Sequence, residues 1–287
     1  MKLTKDTNIL IVGLGVIGGG YAQALTKQGF RVNAITLEEE TVAYALEHGM
    51  IAHGTTSLDP KLISSADLVV FALYPQVFIR WIWSNQHLFK SGALITDVTG
   101  VKGCVVETVQ AILRPDVEFI AAHPMAGRER SGVEYADDKV FHGANFIVTP
   151  TEKNTPEAIA TAKELGRLLG FARITELTPQ KHDEMIAFLS QLTHCIAVTL
   201  MTCHDSPSLE EYTGDSFRDL TRIAKINDEM WSELFLLNRD ALLCEMDRFS
   251  AEFAHLREML ATGDREGMRD MMRRSTARRA LFDKPTN

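Results

Sequence analysis

The sequence has no basic surplus, no disulfide framework and no long unbroken apolar run. Its 287 residues hold 30 Lys and Arg against 38 Asp and Glu, a formal net charge of −8. Nucleic acids and anionic membranes attract proteins through clustered basic faces, so neither is expected as a partner. The four cysteines, Cys104, Cys195, Cys203 and Cys244, fall at spacings that match no zinc or C-x-x-C pattern. They read as reduced thiols of a cytoplasmic protein without a bound metal. No uninterrupted apolar run approaches about 18 residues, and MKLTKDTN leads straight into a strand without a cleavable apolar segment, so neither export nor membrane spanning is expected. Internal repeats, low-complexity tracts and flexible linkers are also missing. What is present, 45% hydrophobic and 24% charged residues, suffices for two globular domains with a large core.

The stretch Asn8 to Gly20, NILIVGLGVIGGG, is an apolar strand that breaks into glycines at Gly13, Gly15 and Gly18. This G-x-G-x-x-G turn predicts a dinucleotide site. Gly13 permits the tight turn, Gly15 lets a pyrophosphate approach backbone N–H groups, and Gly18 allows the following helix to pack closely. That helix begins near Val16 and Ile17, and its N-terminus faces the phosphates. Arg31 to Thr36 reads as the next strand, and its end selects the cofactor. There an acidic side chain binds ribose hydroxyls and basic ones accept a 2′-phosphate. Thr36 is neutral, whereas Glu38-Glu39-Glu40 beyond it repel a phosphate, with Glu38 the carboxylate placed for ribose. NAD is therefore favoured over NADP. The same glutamates also suit a helix N-terminus by charge alone.

Asp67 to Leu73 and Ala93 to Asp97 are short β-branched runs that alternate with helical segments at 75–89 and 101–113, which predicts a parallel sheet. Further strands are expected at 117–121 and 145–148, a helix at 156–169 with Thr155 as N-cap and Pro156 at its first position, and a last strand at 172–177. Ligands of such sheets bind at the carboxyl ends of the strands, so Leu73 and Tyr74 join the cofactor set, and 97–102 and 123–129 line the same cleft. After Thr178-Pro179 the periodicity is helical, at 180–202, 216–226, 228–260 and 264–281. The fold class is therefore α/β: a Rossmann-type dinucleotide-binding domain, residues 1–177, followed by an all-α domain, residues 178–287. The arginines of the last helix read as a solvated or subunit-facing surface.

Within the cleft, Ala122-His123-Pro124-Met125-Ala126-Gly127 places a histidine at a strand end. An imidazole suits proton removal from a hydroxyl at neutral pH, and a buried structural histidine fits the composition equally. His182 and His194 lie twelve positions apart on one helix, too far for a shared metal. His194 is either a substrate donor or a helix-core residue. Asp219 and Arg222 share a helix face, which fits either a carboxylate-binding arginine held by its neighbour or a plain ion pair.

Taken together, GLGVIGG, TDVTGVKG from Thr96 to Gly103, AHPMAG with Glu129 and Ser131-Gly132, the KHD and SQLTH segments, and FRDLTRIAK with Trp231 resemble prephenate and arogenate dehydrogenases, oxidoreductases of tyrosine biosynthesis. The resemblance spans almost the whole chain. It implies NAD(P)-linked oxidative decarboxylation of a cyclohexadienol with His123 as catalytic base. It further implies Arg222 on a substrate carboxylate, and His194, Glu129 and Trp231 in the substrate site. Gly100 stands where relatives commonly carry a serine, for which Thr99 is the expected substitute, and Gln191 stands where many carry a histidine. Thr36 replaces the usual aspartate. No regulatory ACT domain, which some relatives append, is expected after the helical domain. Leu234 to Leu237, Leu242, Leu243, Met246 and Phe249 surround more than one helix face, which predicts burial on both sides and a homodimer through the helical domain. Two other readings of the glycine turn are a dehydrogenase of 3-hydroxy acids and a non-catalytic dinucleotide sensor.

Overall fold

The computed structural model describes residues 1–127 and 130–282. The strands β1 (Asn8–Val12), β2 (Arg31–Ile35), β3 (His53–Thr55), β4 (Leu68–Phe71), β5 (Leu94–Asp97) and β6 (Glu118–Phe119) form one parallel sheet in the order β3-β2-β1-β4-β5-β6. Connecting helices are α1 (Val16–Lys27), α2 (Glu39–Glu47), α3 (Pro60–Ser65), α4 (Pro75–Asn85) and α5 (Gly103–Ile112). Side chains of a strand alternate between faces. Accordingly Ile9 and Ile11 enter one core with Tyr21 and Leu25, and Leu10 and Val12 enter another with Phe78 and Val105. A strand buried on both faces needs apolar residues at every position, which explains the unbroken ILIV run. The short β3 and α3 lack such a run and are not anticipated from periodicity.

Of the strands expected to extend this sheet, 117–121 does so through β6, whereas 145–148 and 172–177 lie in another sheet. Ile120 still donates its N–H to Ile95 O (2.9 Å), and then the chain leaves. β7 (Ala121–Met125) pairs antiparallel with β8 (Asn145–Thr149), which pairs in parallel with β9 (Arg173–Glu176), forming a separate three-stranded sheet. His123 therefore sits inside a strand, opposite Ile147, and not in a loop at a strand end. α6 (Pro156–Leu168) covers this sheet, and Thr155 caps it by accepting from Ala158 N (3.1 Å).

Beyond β9 the described chain is helical. α7 (Pro179–Ile186) passes through a π-helical turn at Ala187–Gln191 into α8 (Leu192–Thr202), followed by α9 (Asp215–Thr221) and α10 (Asp228–Leu237). Pro179–Thr202 is by length and composition apolar enough to cross a membrane, with mean hydropathy 1.5. Its buried face nevertheless carries His182, Asp183 and Gln191, each hydrogen-bonded to other elements, as in a core helix. The expected single helix from 228 to 260 is broken at Asn238. That amide is buried and donates to Asp183 O (2.9 Å) and Gln191 Oε1 (2.8 Å), with a backbone φ of −117°. A buried amide must be paired, and here the pairing ends the helix.

The chain divides into two compact units, Met1–Arg239 and Asp240–Asn287. The second carries most of α11 (Arg239–Thr262) and α12 (Arg265–Arg279). Gly263, at φ +71°, reverses the chain between them, and Asp264 caps α12 by accepting from Gly267 N (2.9 Å). Arg269 pairs with Glu266 three positions before it along an exposed face of this helix.

Candidate active site

The glycine turn has the form a dinucleotide requires. Gly13 lies at φ +97°, and a Cβ on it would meet Ala72 O at 2.5 Å and Leu73 Cδ2 at 2.9 Å. A Cβ on Gly18 would collide with the Gly13 carbonyl oxygen. Gly15 differs, since nothing lies within 4 Å of where its Cβ would be. It is also the N-cap of α1, with no side-chain cap and no acidic residue in the first turn. The leading amides of α1 thus open onto unfilled space, which fits the pyrophosphate of a nicotinamide dinucleotide. Val16 is buried and Ile17 half-buried beside this cradle. At the ribose end, Thr36 donates its N–H to Thr55 O (3.1 Å). Glu38 is exposed before α2, its carboxylate accepting from Thr41 Oγ1 (3.0 Å).

Beyond the end of β5 a chain of buried polar groups ends at His123. Thr178, as N-cap, and Pro179 start α7, which places His182 and Asp183 in its first turns. The Asp183 carboxylate accepts from Lys102 N (2.8 Å) and Gly103 N (2.7 Å), at the start of α5. It also lies 2.7 Å from His182 Nδ1. A carboxylate oxygen accepts, so His182 Nδ1 carries the proton and donates it. His182 Nε2 is then an acceptor, and His123 Nδ1 donates to it across 2.8 Å. This leaves His123 Nε2 as the bare nitrogen. It faces the turn after β5: a Cβ on Gly100 would lie 4.0 Å from it and 3.5 Å from both terminal carbons of Leu234.

Burial holds the His123 pKa well below the ordinary histidine range, and His182 and the Lys102 ammonium push the same way. Burial also lowers His182, against the pull of Asp183. Both rings are neutral near pH 7, the state a base needs. Burial, aided by the Asp183 charge, pushes the neighbouring Cys104 thiol up to about 11, which keeps it an inert thiol.

Thr99 departs from its expected role. Its hydroxyl is buried, with its single proton directed at Asp97 Oδ2 and Val101 O (2.9 Å) also within reach, so it faces inward and does not replace a serine at the cleft. Gln191 is likewise occupied, donating to Leu234 O (3.1 Å) and accepting from Asn238. His194 is half-buried on α8, stacks on Trp231 of α10 at 3.7 Å between ring centres, and bonds through Nδ1 to Ser190 O (2.9 Å). Trp231 and Leu234 are about one turn apart on α10, so one helix edge touches both His194 and the Gly100 turn. Tyr74 OH accepts from Asn227 Nδ2 (3.0 Å), and Glu233 accepts from Gln76 N (2.7 Å), which ties the start of α4 to α10. Arg222 is exposed and opens a 3-10 turn where α9 stops, so it does not share a continuous helix with Asp219. Glu129 lies outside the described residues. The segments 97–102 and KHD are expected near this site, but the buried contacts of Asp97, Lys102, His182 and Asp183 with one another and with His123 are not. The sequence signals for them are the loop at the end of β5 and an adjacent His-Asp pair in the capped first turns of α7.

A dinucleotide cradle after β1 and a neutral, oriented histidine facing the turn after β5, at the carboxyl ends of strands of one parallel sheet, fit a nicotinamide-dependent dehydrogenase whose second part is helical. The sequence matches the families described as prephenate dehydrogenase, nucleotide-binding domain, over residues 21–175, and prephenate dehydrogenase, dimerization domain, over residues 178–274. The chain belongs to the prephenate dehydrogenase family. It is 31% identical to the prephenate dehydrogenase of Bacillus subtilis, over 93% of this chain and 74% of that one. It is 29% identical to the cyclohexadienyl dehydrogenase of Zymomonas mobilis, over 91% of each. Among solved structures, prephenate dehydrogenase from Aquifex aeolicus in complex with hydroxyphenyl propionate and NAD+ superposes with a TM-score of 0.90 at 29% identity, covering 98% of this chain and all of that one.

Proposed function

We propose that this protein oxidises prephenate, arogenate or both, with loss of CO2, and that His123 is the base. The hydrogen-bond chain from Asp183 through His182 to His123 carries this reading, because it fixes the proton on Nδ1 and directs a bare Nε2 into the cleft. Nε2 takes the proton of the ring hydroxyl as hydride leaves the carbon that bears it. The ring carboxylate then departs as CO2, its electron pair completing the aromatic ring as a phenolate, which takes the proton back from Nε2. The nicotinamide, when bound, supplies the hydride acceptor. The protein contributes position and one base, with Arg222 on a substrate carboxylate and His194, backed by Trp231, in the ring pocket. Residues 1–177 bind the dinucleotide and 178–287 bind substrate and dimerise. Neither a 3-hydroxy-acid dehydrogenase nor a sensor accounts for family matches across both parts of the chain.

NAD is the favoured cofactor, since the exposed Glu38 lies just beyond β2 and two more glutamates follow it. The assembly is a homodimer, a reading supported by Phe188, Leu236 and Phe253, which are 52%, 72% and 63% exposed in the single chain. Such apolar surface is what a second copy would cover. The compartment is the cytoplasm, consistent with kinship to biosynthetic dehydrogenases. The deciding assay mixes purified protein with prephenate or arogenate and NAD+ or NADP+ and follows reduced nicotinamide by absorbance. Turnover faster with NAD+ is expected, and silence in all four mixtures refutes the reading.

A further inference from the structure

Lys102 is a fully buried lysine that the reaction as described does not use. Its ammonium has three donors, and all three have acceptors: Asp97 Oδ2 at 2.6 Å, Ala122 O at 2.7 Å and Thr99 Oγ1 at 3.2 Å. Asp97 in turn accepts from Ala122 N through Oδ1 (3.2 Å). The buried pair therefore grips both backbone polar groups of one residue, Ala122, immediately before His123.

The location of this grip gives it a purpose. β6 runs beside β5 as far as Ile120, whose N–H still reaches Ile95 O. Past that point the chain turns away to pair with β8, and no backbone ladder joins β7 to β5. At Ala122 the Asp97 carboxylate stands in for the missing backbone acceptor and the Lys102 ammonium for the missing donor. The strand that carries His123 is thereby tied to the end of β5, the element that leads into the Gly100 turn. A buried ion pair costs desolvation that well-packed apolar residues would avoid, so its presence is weak evidence for stability and better evidence for a fixed geometry.

We propose that Lys102, acting with Asp97, is a positioning residue that sets the distance and angle of His123 against the Gly100 turn. It touches the backbone of the strand and acts on the reaction only through His123. The proposal rests on His123 being the base.

Replacing lysine alone leaves the Asp97 carboxylate buried without its counter-charge and risks unfolding. The informative variant is the double substitution Asp97→Asn with Lys102→Met, which removes both charges and keeps the bulk. With prephenate, arogenate and NAD+ as probes, the folded double variant should lose about a hundredfold in kcat, the scale of a small misplacement at the reacting centre. KM should stay within about threefold, because substrate contacts are retained. Thr99→Val keeps both charges and deletes one acceptor of the ammonium. It should fold and lose kcat severalfold in the same pattern, and it decides alone if the double variant does not fold. A folded variant with wild-type kcat overturns the proposal. Nitrogen NMR of the His123 ring provides a readout that needs no turnover. The wild type should show a single Nδ1–H tautomer between about pH 6 and about pH 8, and the double variant a mixture. One tautomer in both overturns the proposal as well. Wild-type protein inactive on both substrates refutes the assigned reaction instead, and the NMR comparison then carries the test of Lys102.

Discussion

His123 and His182 meet nitrogen to nitrogen at 2.8 Å, with ring centres 5.1 Å apart and planes inclined at 60°. Edge-on contact of this kind lets only one proton occupy the shared line. Because neutral His182 gives its one N–H to Asp183, the shared proton belongs to His123. A histidine in a strand, a His-Asp pair on a helix and the start of α5 are thus parts of one device. Its output is the unprotonated state of His123 Nε2.

Replacing the base separates chemistry from binding. His123→Asn keeps a polar side chain on β7 and removes the basic nitrogen. Turnover should fall by about 10² to 10⁴, the usual contribution of a general base, while NAD+ affinity measured by calorimetry stays unchanged because the glycine turn is untouched. Full activity in this variant would sink the assigned role.

Acid should destabilise the protein through the same two rings. Burial lowers both His123 and His182 below the unfolded value of about 6.5. Between that value and the lowered ones, the unfolded chain binds more protons than the folded chain, so stability falls as pH drops through about 6.5. It stops falling on this account only once the folded rings also protonate. The slope is at most about 1.4 kcal/mol per pH unit for each ring. Urea unfolding at several pH values measures it, and His123→Asn should flatten the slope by one proton. An unchanged slope in that variant would mean that His123 is not held neutral.

Much of this arrangement can be read in the chain, and the rest depends on tertiary placement. The glycine turn, the Thr155 and Thr178 caps and the parallel strands follow from local chemistry, because each is decided by residues within a few positions. The departure of β7 from the parallel sheet is different. Ala121 to Met125 is as apolar as its neighbours, and what redirects it is pairing with β8, more than twenty residues on. The break at Asn238 is hidden for the same reason, since its partners Asp183 and Gln191 are 55 and 47 positions away. Thr99 misleads because a hydroxyl beside a cleft looks available, whereas Asp97 two residues earlier claims it.

The glycine turn makes a prediction that distinguishes packing from binding. Gly13→Ala forces a side chain into φ +97° and against Ala72 O, and should cost about 1–3 kcal/mol of stability. Gly15→Ala adds a methyl where the protein places nothing within 4 Å. Its melting temperature should match the wild type while NAD+ affinity drops at least about tenfold, since only the approaching pyrophosphate meets the methyl. If Gly15→Ala binds NAD+ normally, the cradle lies elsewhere.

Gly100 offers a gain of function. A Cβ there would sit at ordinary contact distance from Leu234, 3.5 Å, and 4.0 Å from His123 Nε2, and no positive φ stands in the way. Gly100→Ser therefore fits without displacing its neighbours and should change stability by no more than about 0.5 kcal/mol. From that carbon a hydroxyl reaches hydrogen-bond range of the space in front of Nε2, where the reacting oxygen must lie. A second polar contact on that oxygen, made as its proton leaves, should raise kcat severalfold with KM little changed, because the interaction strengthens toward the transition state. The measurement is kcat and KM for Gly100→Ser and, as a steric control, Gly100→Ala. A serine variant no faster than the alanine variant would show that Nε2 alone handles the hydroxyl.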